Sequence, residues 1–405
     1  MKLLIPALLL FGFQSFAQHP TCNGTRYSTI GYTVDSTAAL QYGNNTTFGG
    51  NNQDLFLDFF EPSGDVATAR PLIILAFGGS FIGGAREDMH NLCQFYTSLG
   101  YTAASIDYRL YDGPFFPFPD SVDMTTEVLM AVSDMKAAIR FFKEDAATSN
   151  TYRVDTNYIF VGGISAGGIV ASHAALLDSN DVIESYIQPL LANNGGWTGN
   201  SSNNTQYTDN VLGVLNFSGA LRRANYIDAN DPSIFSVHDD GDDVVPYASG
   251  YAYIFGQPII GMEGSFLMEQ QAQSVGINSE LITIENSTGH VSYFGTTQGT
   301  DTILQRSTEF LYEIVCGPIV SVDELAPSDL SIFPNPAIGV VTIESANEQI
   351  TSVVIYDQMG KILYSHMGET NSLTVNTDKL ESGSYIVRSV LANGSIQTRP
   401  LLVTK

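Results

Sequence analysis

The pentapeptide Gly163-Ile164-Ser165-Ala166-Gly167 fits the pattern G-x-S-x-G. It directly follows the apolar run Tyr158-Ile159-Phe160-Val161 and directly precedes an alanine-rich stretch that continues to Leu177. A serine on a sharp strand-to-helix turn stands out at the sheet edge, and the helix N-terminus behind it offers N–H groups and positive dipole to a developing oxyanion. The glycines, with Gly162 and Gly168 beside them, give the turn its backbone clearance. Such a serine is a nucleophile for acyl transfer. It needs a base, and the base needs an orienting acid, in the chain order Ser, Asp or Glu, His. Downstream of Ser165 lie His238, His290 and His366. His290 sits in Ser287-Thr288-Gly289-His290, a loop after a strand from which an imidazole reaches over the sheet edge, and it is the expected base. For the acid, the turn from His238 to Pro246 offers Asp239, Asp240, Asp242 and Asp243, and proximity alone does not choose among them. Upstream, Phe77-Gly78-Gly79-Ser80-Phe81 follows a strand, so the N–H groups of Gly79 and Ser80 are expected to converge with that of Ala166 on one oxygen.

The elements that must position these groups alternate up to about Cys316. Residues 71–77, 101–108, 158–161, 211–217, 232–238 and 279–284 read as strands. Between them, 86–99 and 126–142 carry apolar residues at helical spacing, the first ending at Gly100. Strands alternating with helices predict an α/β fold, a mostly parallel sheet covered on both faces. Residues 317–328 read as a linker. Beyond it the helical period disappears, and seven short strands separated by turns predict a small all-β sandwich over residues 329–405.

The chain of 405 residues has 42 acidic and 17 basic side chains, a formal charge of −25. That charge excludes nucleic acid and disfavours anionic membranes as partners. Met1-Lys2, the apolar run Leu3 to Phe13 and Ser15-Phe16-Ala17 form a secretory signal peptide, which sets the mature start at Gln18. No later run is long enough for a transmembrane segment. The three cysteines, Cys22, Cys93 and Cys316, are too few for a disulfide framework or a four-cysteine zinc site. In an exported chain one disulfide involving Cys22 is expected, with Cys316 or Cys93 as partner and a buried Cys93 favoured as the free thiol. The acidic turn 239–243 does not fit a calcium loop. His173 reads as a packed or surface residue, and the polar, glycine-rich stretch 193–210 with Trp197 as either a cap over the pocket or a surface loop. Neither a cofactor nor a metal is called for.

Residues from about 54 to 312 resemble an α/β-hydrolase of the carboxylesterase group with an HGG-type oxyanion loop. The matching pieces are Phe77-Gly78-Gly79-Ser80-Phe81, Ile106-Asp107-Tyr108-Arg109-Leu110, the Ser165 pentapeptide and the acidic turn before Val245-Pro246. In that group the turn reads H-G-T-x-D-x-V-V-P, and the resemblance places its catalytic D on Asp242. Asp239 and Asp240 stand where Gly and Thr are usual, and Phe77 where His is common. The resemblance implies a serine esterase in which Ser165 attacks, His290 acts as base, Asp242 orients His290, and Gly79, Ser80 and Ala166 form the oxyanion hole. Its ester substrate is expected among acyl decorations of polysaccharides, with a serine peptidase or a non-catalytic surface binding protein as alternatives. The tail carries Ile332-Phe333-Pro334-Asn335-Pro336, Met359-Gly360-Lys361, Gly383-Ser384-Tyr385 and Val403-Thr404-Lys405. It is similar to the type A C-terminal sorting domain of the type IX secretion system. That similarity implies export through the periplasm to that machinery, then release or attachment at the cell surface.

Overall fold

Runs that are apolar from end to end form the centre of the sheet, because a parallel strand between two helical layers has no face left for water. The computed structural model describes residues 18–317, 330–357, 361–392 and 396–405. The expected signal peptide and linker residues 318–328 lie outside the described residues. Two compact units result, Met1–Ile319 and Val320–Lys405.

The first unit opens with strands β1 (Val34–Thr46), β2 (Asn52–Pro62) and β3 (Arg70–Ala76), then helix α1 (His90–Ser98) and β4 (Thr102–Ile106). Next come α2 (Ser121–Ala147), β5 (Val154–Ile164), α3 (Ala166–Leu176), α4 (Ile187–Asn193), β6 (Gly213–Phe217) and β7 (Ala220–Leu221). The unit closes with β8 (Ser233–Asp239), β9 (Ser249–Ile254), β10 (Gln257–Gly264), α5 (Ser265–Val275), β11 (Ser279–Ile284) and α6 (Thr297–Cys316). Eight strands form one sheet in the order β1-β2-β4-β3-β5-β6-β8-β11. β1, β2 and β4 pair antiparallel, and every pairing from β4 to β11 is parallel. Every residue of β3, β4 and β6 is buried. The predicted helix 86–99 is a 3-10 turn (Arg86–Met89) leading into α1, and the predicted 126–142 extends to the whole of α2 because Asp120 caps its start.

The N-terminal extension is fastened by Cys22–Cys316, a disulfide with Cα atoms 5.8 Å apart, while Cys93 is free and buried. Around that bond, His19 N–H donates to Val315 O at 2.9 Å, and Arg26 forks onto Asp65 at 3.0 and 2.7 Å.

The second unit holds β12 (Leu330–Ile338), β13 (Val340–Ser345), β14 (Ile350–Tyr356), β15 (Ile362–Thr370), β16 (Ser372–Asn376), β17 (Gly383–Leu391) and β18 (Ile396–Val403). Their order is β15-β14-β17-β18-β12-β13-β16, with every pairing antiparallel except the parallel bridge of Ala337 to Val403. Alternate residues such as Val341, Ile343, Val353, Ile355, Val387 and Leu401 build its own core.

Candidate active site

β5 ends at Ile164 and α3 begins at Ala166, so one residue makes the whole turn between strand and helix. That residue, Ser165, has φ 55° and ψ −116°, a region costly for a side chain and held open by its surroundings. The reason for the flanking glycines is close approach: a Cβ on Gly163 would stand 2.4 Å from the Gly167 carbonyl carbon, and one on Gly167 2.0 Å from Ala76 O. The elbow therefore packs directly onto the end of β3.

His290 and Asp242 converge on this serine. The Ser165 hydroxyl lies 2.7 Å from His290 Nε2, and His290 Nδ1 lies 2.7 Å from Asp242 Oδ2. The second oxygen of Asp242 accepts the N–H groups of Val244 at 2.8 Å and Val245 at 3.0 Å. Burial alone would raise the Asp242 carboxyl, but hydrogen bonds from His238 and His290 outweigh it and hold the group well below the usual carboxylate range. Asp242 therefore stays charged beside the imidazole, whereas Asp243 is exposed.

Three supports were not read from the sequence. His238, fully buried on β8, places Nε2 at 3.1 Å from Val245 O and 3.3 Å from Asp242 Oδ2. Its Nδ1 meets Ser265 Oγ at 2.7 Å, and Asn216 donates to that oxygen at 3.0 Å. A buried polar chain thus runs from β6 through the start of α5 to the acid. The two departures from the carboxylesterase turn supply the other supports. Asp239 accepts both the hydroxyl of Ser292 and its N–H, the latter at 3.1 Å, and Asp240 accepts the N–H groups of Asn286 and Ser287 at 2.9 and 3.0 Å. Each carboxylate ties the acid's turn to the base's loop on one side of His290. Their replacement of Gly and Thr was the available signal.

The loop 77–84 faces the elbow. Gly79, Ser80 and Phe81 all have positive φ (129°, 56° and 62°), and among the described residues the N–H groups of Gly79 and Ser80 have no hydrogen-bond acceptor. The N–H of Ala166 opens α3, where no carbonyl precedes it in the helix to accept. Phe77, standing where His is common, stacks on Tyr108 with ring centroids 4.3 Å apart, and the Tyr108 hydroxyl donates to Phe77 O at 2.8 Å. Arg109, also in that segment, is buried against Asp134 of α2 at 2.8 Å.

A largely apolar cavity of about 30 Å³ adjoins Ser165, roofed by β9 and β10. The stretch 193–210 is not that roof. Lys136 and Arg140 of α2 donate to Trp197 O and Thr198 O, both at 2.8 Å, and Ser133 accepts Asn200 N–H at 2.9 Å, which holds the loop along α2. His173 is a packed residue, buried between Ile169 O and the N–H of Arg222, and burial pushes it down to about 4. Among the described residues no group of three or more His, Cys, Asp or Glu side chains is arranged to hold a metal, and no helix is long and apolar enough to cross a membrane.

Residues 57–201 match the BD-FAE family, and residues 331–403 match the family described as secretion system C-terminal sorting domain. The catalytic unit is an esterase-type α/β-hydrolase, and the tail is a type IX sorting domain. No curated protein shows significant similarity to the chain. Among solved structures, the esterase unit is similar in fold to a truncated carbohydrate esterase from gut microbiota, at 19% identity and TM-score 0.50 over 70% of this chain and 97% of that one. It is also similar to esterase 2 of the planctomycete Thermogutta terrifontis. The propionate-bound form gives 21% identity and TM-score 0.50 over 69% and 95% of the two chains. The form phosphorylated by paraoxon gives 20% and 0.51 over 70% and 96%.

Proposed function

We propose that this esterase is exported and cleaves carboxylic esters through Ser165, His290 and Asp242 by way of an acyl-enzyme. The observation that carries the reading is the unbroken hydrogen-bonded series from Ser165 to His290 to Asp242 at 2.7 Å per step. Ser165 Oγ attacks the ester carbonyl carbon as its proton passes to His290 Nε2. The oxygen that becomes negative is received by the N–H groups of Gly79, Ser80 and Ala166. Collapse breaks the carbonyl–oxygen bond to the alcohol, which leaves with the proton from His290. Water then attacks the acyl-Ser165 carbonyl and gives its proton to His290. The second collapse returns that proton to Ser165 and releases the acid. Asp242 stabilises the imidazolium in both halves. Neither a metal nor a cofactor takes part.

The substrate we infer is an ester carried by a neutral polysaccharide. Exposed rings on the roof, Tyr251, Tyr253 and Phe255, stand beside the cavity, and the segment from Tyr247 to Phe266 contains no Lys or Arg, which suits stacking on uncharged sugar rings. The sorting tail would deliver the enzyme through the periplasm to the cell surface, where such polymers are met. Turnover of p-nitrophenyl acetate and release of acid from an acylated polysaccharide by wild type, with neither from Ser165→Ala, is the expected result. Turnover retained by Ser165→Ala would refute the assignment.

A further inference from the structure

The roof over Ser165 has an irregularity whose effect falls inside the cavity. β9 and β10 pair in regular register except between Pro258 and Ile260, where Ile259 is an extra residue. A strand without this bulge would send neighbouring side chains to opposite faces. Here Ile259 and Ile260 are both buried and both line the cavity, with Ile254 and Met262 from the same hairpin. Met124 of α2 forms part of another wall. Bulges beside active sites re-aim side chains, and this one adds a second isoleucine to the wall of a cavity of about 30 Å³. That volume is the space within which the centre of a water-sized sphere can move, so the cavity is narrow.

The lining also decides which half of an ester enters. Among the described residues that line the cavity, Ser80, Ser165 and Tyr253 carry its only polar side chains. A sugar hydroxyl placed deeper would lose its water and gain no partner. Hydrocarbon incurs no such loss. We propose that this cavity is the acyl pocket, and that the bulged pair Ile259 and Ile260 restricts the enzyme to acyl groups of about two or three carbons, acetyl and propionyl. Longer chains and aromatic acids are excluded. The proposal rests on the esterase reading of Ser165 and specifies its substrate.

The test is a series of p-nitrophenyl esters from acetate to octanoate, in which only the acyl group changes. A pocket with room gains about fourfold in kcat/KM per added methylene. The wild type is instead expected to fall by about tenfold or more between propionate and hexanoate. Ile259→Ala and Ile260→Ala, made singly, should each raise the hexanoate-to-acetate ratio by about tenfold, and should not shift the preference between phenyl and methylumbelliferyl acetate, where only the alcohol differs. If one variant fails to fold, the other and the wild-type series still decide. A flat or rising wild-type series overturns the proposal, as do folded variants that leave the acyl ratio unchanged or alter alcohol preference instead. Absence of turnover on every ester is a different outcome, which refutes the esterase reading beneath it.

Discussion

Replacing Asp242 by Asn keeps the size of the side chain and its place in the turn, but an amide cannot stabilise the imidazolium of His290. A loss of about 10⁴ in kcat is expected. Asp243→Asn, at the exposed neighbour, should stay within a few-fold, and Ser165→Ala should lose on the order of 10⁶. Purified variants assayed on p-nitrophenyl acetate check all three, and equal losses at 242 and 243 would unseat Asp242. The carboxylates also shape stability against pH. In Asp242, Asp58 and Asp65 burial works against the charge, but hydrogen bonds from their partners outweigh it and leave all three below the ordinary 3.8. A depressed carboxylate contributes stability that is present above 3.8 and lost as pH falls below it. Asp231 and Asp181 do the opposite: burial first, then neighbouring aspartates, raise them to about 7 and about 6, so their cost grows as pH rises from 3.8 towards those values. Stability should therefore peak between about pH 4 and 5.5, and Asp231→Asn should raise Tm at pH 8 but not at pH 4. Thermal melts across pH decide it, and an equal gain at both pH values would contradict this account. Ser165 and His290 were legible because each is marked by its immediate neighbours. Asp242 needed the family pattern, since four aspartates share one turn. Asn216, Ser265 and His238 were illegible because the chain brings them together only through the packing of β6, β8 and α5.

The hairpin of β9 and β10 turns through Phe255 and Gly256, both at positive φ (49° and 74°). Two-residue turns of that kind favour Asn-Gly, since an aromatic side chain is strained there. Phe255 is nonetheless 77% exposed and packs into no core. Phe255→Asn should therefore stabilise the protein by about 0.5 kcal/mol, a Tm gain of roughly 1–2 °C. It should also weaken turnover of an acylated polymer several-fold more than turnover of a small ester. Loss of stability, or equal effects on both substrates, would remove Phe255 from substrate contact. Strands β3, β4, β5, β6 and β8 were readable because burial on both faces leaves continuous apolar runs, and β11, a half-buried edge strand, because Leu281, Ile282 and Ile284 still mark it. β1 was not, since most of its residues are exposed and no such run marks it. The roof was missed for a related reason: its bulge breaks the two-residue alternation by which a strand is recognised.

Across the whole molecule, the residues proposed for catalysis all lie within one compact unit and the sorting tail has a core of its own. A chain ending at Ile319 should keep its activity on soluble esters within about twofold and accumulate in the cell envelope. Full-length protein should reach the surface or the medium. Fractionation of cells expressing both chains tests this, and normal delivery of the shortened one would contradict the role of the tail.

The bond between Cys22 and Cys316 spans 294 residues of sequence and makes the catalytic unit a covalent ring. A protease that nicks a surface segment such as 193–210 would open this ring without parting it. The pieces should stay together on a non-reducing gel and separate once thiol is added. Loop-closure entropy over so long a span corresponds to at most about 6 kcal/mol, so reduction should lower Tm even in the uncut protein. Because the two ends of the ring meet at this bond, a peptide linker there with new ends opened elsewhere would give a circular permutant, and such a chain is expected to fold without any disulfide.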